Sequence, residues 1–165
     1  MMGGTWMEEL ADSIAAKDKQ ASFEIAQREH CEGVIAALGP SFFRSFAECF
    51  KVAVDQMGQI LDGRAITSPQ TCTLRADGRE VSFRRDKLPH ISMEAKFMQG
   101  SAMLSIQFAV LNPEIPHGQN VVAFNPMQCR FESDGQERLY LVLDGQDFYK
   151  PKEAAEFLVK RLFTI

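Results

Sequence analysis

The stretch ILDGRAITSPQTCTLRADGREVSFRR, residues 60–85, marks the point where one periodicity gives way to another. Upstream of Asp62 the apolar residues recur every three to four positions, and from Thr71 they alternate with polar ones. The first spacing is that of a helix with one buried face, and the second is that of a half-buried strand. Asp62-Gly63 is expected to stop the helix, because glycine adopts the left-handed conformation of a C′ residue without steric cost. Asp77-Gly78 is expected to turn Cys72, Leu74 and Ala76 back onto Val81 and Phe83 as a hairpin.

Working upstream, Pro40 suits the first position of a helix. From there Phe42, Phe43, Phe46, Cys49, Phe50, Ala53, Val54, Met57, Ile60 and Leu61 fall on one face, opposite Arg44, Glu48, Lys51, Asp55 and Gln59. Residues 5–38 also read as helical, but as one rod they would be about 51 Å long at 1.5 Å per residue. A break is therefore expected at the polar run Lys17–Gln20, with Ser22 as the N-cap of the next segment. Before the break, Trp6, Leu10 and Ile14 form a narrow i, i+4, i+8 stripe. After it, Phe23, Ala26, His30, Val34, Ala37 and Leu38 share a face with Gln27 beside them.

Downstream, Ile91, Met93, Ala95 and Phe97 turn near 99–102 into Leu104, Ile106, Phe108 and Val110. Met127, Cys129 and Phe131 turn at Asp134-Gly135 into Leu139, Leu141 and Leu143, and Val121–Phe124 precede them, with a bulge or break expected at Pro126. Asp144-Gly145 is read as releasing the last strand into an amphipathic helix over residues 151–165. The expected fold is α+β: two N-terminal helical segments, an antiparallel meander of about six strands with one face covered by helices, and a C-terminal helix. All 165 residues are read as one domain, with residues 1–16 as a projecting or oligomerising helix. This order resembles that of helix-grip domains, a likeness that implies an enclosed apolar ligand; those domains open with a strand that this chain lacks.

Composition narrows the function classes. A formal charge of −4 argues against a nucleic-acid binder driven by counterion release. No stretch approaches the ~20 apolar residues of a membrane span, and Met1–Asp12 shows neither the basic nor the apolar region of a signal peptide. Four separated cysteines without a CxxC read as reduced core thiols, so a cytoplasmic setting is expected. Thirteen of the sixteen aromatics are Phe, which favours a dry interior. No nucleotide, metalloprotease, serine-hydrolase or calcium motif is present, and no cofactor is implied.

Three readings of function follow. A non-enzymatic binding or interaction module would hold a small apolar ligand or a protein partner, with His30, Gln27, Phe46 and Phe50 as ligand-facing candidates among a Phe-rich and Met-rich interior. An enzyme would use His90 and His117 with Asp86, Glu114 or Asp147, gathered in the longer loops at one end of the sheet. In that scheme residues 63–70, 85–90, 112–120 and 144–150 share one end, while the tight turns at 77–78, 99–102 and 134–135 share the other. A structural homo-oligomer, at its simplest a homodimer, would assemble through the Trp6, Leu10, Ile14 stripe.

Overall fold

A computed structural model describes residues 4–67, 69–86, 90–98, 103–111, 121–123 and 127–164. The element order is α1 (Thr5–Gly63), β1 (Gln70–Leu74), β2 (Glu80–Arg85), β3 (His90–Met98), β4 (Met103–Leu111), β5 (Val121–Ala123), β6 (Cys129–Ser133), β7 (Leu139–Leu143), β8 (Gln146–Phe148) and α2 (Pro151–Phe163). The fold is thus α+β with antiparallel sheets. The chain divides into two compact units, Met1–Gly33 and Val34–Ile165.

In the first unit the expected break is absent, and one helix replaces two. Residues 5–32 contain no proline or glycine, and the polar run Lys17–Gln20 is made largely of good helix formers. Gln20 Nε2 donates to Glu24 Oε1 at 3.1 Å, an i, i+4 bond that carries the helix through the expected gap. Every residue from Gly4 to His30 is exposed.

In the second unit Pro40 lies inside α1 instead of opening it. The helical path is held there by burial on both sides of the proline: Ile35 and Gly39 precede it, and Phe43, Phe46, Ala47, Phe50 and Val54 follow with no accessible surface. The stop also differs from expectation. Gly63 remains helical, Ala65 takes φ 57°, and the N–H groups of Ala65 and Ile66 donate to the carbonyls of Asp62 and Leu61. That is a Schellman closure, with alanine in the position glycine would occupy at lower cost.

Five strands form one antiparallel sheet in the order β1-β2-β3-β4-β5, and three form a second, β6-β7-β8. Among the described residues the expected six-strand meander is therefore eight strands in two sheets, linked by an isolated bridge between Ile106 and Met127. The three hairpin cores pair as the alternation implied, with Cys72 opposite Phe83, Phe97 opposite Leu104, and Phe131 opposite Leu141. Gly78 takes φ 71° in the first turn and packs under the side chain of Arg44, so a larger residue would meet both strain and contact there.

One face of the five-stranded sheet is apolar and buried: Val81, Phe83, Ile91, Met93, Ala95, Phe97, Ile106 and Phe108. α1 covers it through Phe43 stacked on Phe97 and Phe50 edge-on to Phe83, and Gln70 Nε2 donates to the Val54 carbonyl at 2.7 Å. Phe131 of β6 stands edge-on to both Phe42 and Phe97, which ties the second sheet to the same core. α2 buries Ala154, Ala155, Leu158, Val159 and Leu162 and sets Phe157 against Phe148 of β8. This layout departs from the helix-grip order: one continuous helix leads, and the sheet is divided.

Candidate functional site

His90 opens β3 opposite Leu111, the pairing the alternation implied. Asp86 follows β2 on the same polar face; its N–H donates to the Pro69 carbonyl, and its carboxylate meets Arg84 Nε at 2.8 Å. His117 and Glu114 lie outside the described residues, so their distance from His90 is not part of the geometry. Among the described residues no three His, Cys, Asp or Glu side chains converge as a metal site would require.

His30 and Gln27 correct the expectation of a buried apolar face, since both are exposed. The face on which they were placed is that of an uninterrupted helix, and its burial begins only at Ile35. Phe46 and Phe50 are fully buried against Phe43 and Phe83, so they serve as packing inside the helix-sheet layer.

The sorting of loops by sheet end is corrected at one place. Asp144 (φ 48°) and Gly145 (φ 80°) form a two-residue turn with both residues in the left-handed region, the geometry of a type I′ hairpin. The turn creates β8, which runs back along β7, with Leu141 opposite Phe148. The extra reversal carries Tyr149 to the Asp134-Gly135 end, where Tyr149 Oη donates to Asp134 Oδ2 at 3.3 Å. The signal was the Asp-Gly pair itself followed by Gln-Asp-Phe.

That end gathers the only two tyrosines of the chain. The Tyr140 and Tyr149 rings lie 5.1 Å apart, and the Arg138 guanidinium sits 5.2 Å from the Tyr149 centroid. Asp134 accepts from the backbone N–H groups of Gln136 and Arg138 and from Arg138 Nε, contacts that hold its carboxyl below the usual range. Tyr140 Oη donates to Glu132 Oε2 at 2.7 Å; this bond, aided by burial, pushes the phenol up to about 12. Glu132 is lowered by Arg130 first and then by Tyr140. Beside the cluster runs an open groove of about 530 Å³ lined by Leu38, Phe42, Leu139, Tyr149 and Pro151 with Ser41, Ser45, Glu137 and Arg138 on its edges.

The polar face of the five-stranded sheet holds a second open depression, about 590 Å³, with Thr73, Ser82, Ser92, Glu94, Gln107 and Arg84 along it. Glu94 is lowered by its bond to Lys96, and Lys96 is raised by the same bond. Such paired charges solvate a sheet face. Two thiols are shifted the other way from a nucleophile: burial pushes Cys72 and Cys129 up to about 11.

The first unit carries an uncovered apolar stripe. Trp6, Met7, Leu10, Ile14 and Ile25 are each more than half exposed, and at 3.6 residues per turn they fall with Ala21 within about 100° of one another. Glu8, Glu9 and Asp12 lie on the opposite side. Residues 1–33 hold seven acids and three bases, which leaves fifteen of each for residues 34–165, so the whole formal charge of −4 belongs to the first unit. No helix among the described residues is long and apolar enough to cross a membrane.

Compared with protein-family models, with curated proteins and with solved structures, the chain matches none.

Proposed function

We propose that this chain is a non-enzymatic interaction module that holds a protein partner on the apolar stripe of its N-terminal helix. The observation that carries this reading is the exposure of Trp6, Met7, Leu10, Ile14 and Ile25 on a segment in which every residue from Gly4 to His30 is exposed. A helix in water draws most of its stability from packing of an amphipathic face, and here that face has nothing against it among the described residues. Burying the remaining exposed half of five large side chains stabilises by roughly 5 kcal/mol, at about 1 kcal/mol each. A stripe of this width is also larger than the scattered apolar residues of an ordinary surface.

A small-ligand module and an enzyme receive less support. Phe46 and Phe50 are packed rather than lining a space, and the raised Cys72 and Cys129 thiols are poor nucleophiles. Photo-crosslinking in the producing cell tests the reading. A photoreactive residue at Leu10 or Ile14 is expected to give discrete protein adducts that the same residue at Asp12, on the opposite side, does not. Equal or absent adducts at all three positions would remove the stripe as a partner-holding face.

A further inference from the structure

The geometry points to a second copy of this chain as the partner, bound antiparallel through the same stripe with Lys17 of each copy against Glu24 of the other. This rests on reading the stripe as a partner-holding face. Besides its apolar residues the stripe carries Lys17 and Glu24, seven residues apart and so on the same side of the helix, about 10 Å along the axis. Opposite charges separated by one heptad are self-complementary only in one orientation. In a parallel pair Lys17 meets Lys17 and Glu24 meets Glu24, which is repulsive twice; an antiparallel pair with its two-fold axis between Gln20 and Ala21 gives two attractive pairs.

The surroundings of that axis suit the arrangement. Ala21 is small enough to let two helices approach at the usual 8–10 Å, and Gln20 is held toward Glu24 by its 3.1 Å bond, which orients the carboxylate on its own helix. Ile14 of one copy then runs beside Ile25 of the other, and Leu10 lies along the aliphatic stem of the partner's Arg28. Of the seven acids in residues 1–33, Glu8, Glu9 and Asp12 are on the side away from the contact. Trp6 is the chain's one tryptophan and is 59% exposed on this stripe, so its emission reports the contact directly.

The test uses the full chain and reads native mass, sedimentation and Trp6 emission against concentration. The wild type is expected to be a dimer, with emission shifting to the blue as it forms. Lys17→Glu and Glu24→Lys should each weaken the dimer by roughly tenfold or more, and the double swap Lys17→Glu/Glu24→Lys should restore it, because the pairs are remade with their signs exchanged. Far-UV circular dichroism confirms that each variant is folded. A wild type that stays monomeric with constant Trp6 emission overturns the proposal, as does a dimer indifferent to both single substitutions. A monomer whose Leu10 crosslinks join it to other proteins overturns self-pairing and leaves the partner-holding face standing. A monomer without adducts removes both.

Discussion

Replacing Phe131 by alanine should loosen the second sheet's hold on the core, because this ring packs against both α1 and β3. Phe131 is 5% exposed and stands edge-on to Phe42 of α1 at 5.4 Å and to Phe97 of β3 at 5.6 Å. Truncating a buried Phe to Ala costs about 3–5 kcal/mol, through lost transfer energy and the void left behind. Of this, two edge-on aromatic pairs account for roughly 1–3 kcal/mol, at about 0.5–1.5 each. Phe131→Leu keeps most of the volume and loses the ring contacts, so it should cost about 1–2 kcal/mol. In a protein of this size 1 kcal/mol moves Tm by about 2–4 °C, so Phe131→Ala should lower Tm by roughly 6–20 °C. Urea unfolding followed by far-UV circular dichroism measures both variants. A double-mutant cycle with Phe97→Leu should return a coupling of about 0.5–1.5 kcal/mol. A cost below about 1 kcal/mol for Phe131→Ala, or no coupling to Phe97, would show that the second sheet is not anchored through this ring.

Further outcomes are expected. Cys72 and Cys129 should label at pH 8 on the order of a hundred times more slowly in the folded protein than after denaturation, since a thiol near 11 is about 0.1% ionised there. Both folded values lie above the ordinary 9, so the unfolded chain loses these protons first. The stability each thiol contributes is complete below pH 9 and is lost as the pH rises from 9 through 11; Cys72→Ala/Cys129→Ala should flatten that alkaline decline. Ultraviolet titration should show Tyr140 ionising at about 12, and Glu132→Gln should return it toward 10 by removing the carboxylate that accepts its proton. Ala65→Gly should raise stability by about 0.5–1 kcal/mol in thermal unfolding, because it relieves an alanine at φ 57°. Pro40→Ala should raise it by about 2 kcal/mol, the restored helical bond of about 3 less about 0.4–1 for the lost rigidity of the unfolded chain; no gain would mean that α1 is not continuous through Pro40.

The alternation of apolar residues made the hairpins legible, and it placed Phe83, Met93, Phe97, Ile106 and Phe131 on buried faces. Those strands have one wet and one dry side, so period two is written directly in the residues. Helix continuity was not legible, because a polar run and a proline each read locally as an end. Lys17–Gln20 could stay helical as a solvated turn, and Pro40 could stay inside because the core on either side outweighs one missing bond. The extra strand turned on Asp144-Gly145, where Gln146, Asp147 and Phe148 carry too few apolar residues to announce themselves. As for the site, Tyr149 and Asp134 were noticed separately and assigned to opposite ends; only the reversal at Asp144-Gly145 brings them together. The exposed Trp6, Leu10, Ile14 stripe was legible from its i, i+4, i+8 spacing, since an isolated helix cannot bury its own apolar face. Ile25 joins it only once the helix is known to run through residue 20.

The placement of charge has a colloidal consequence. With the entire formal charge of −4 carried by residues 1–33, the remainder of the chain balances fifteen acids with fifteen bases and has no net charge with which to repel its own kind in solution. Net charge away from zero is what keeps a protein dispersed. Proteolytic clipping near Gly33 would therefore do more than shorten a helix. It would leave a fragment near its isoelectric point at neutral pH, prone to precipitate at concentrations the intact chain tolerates.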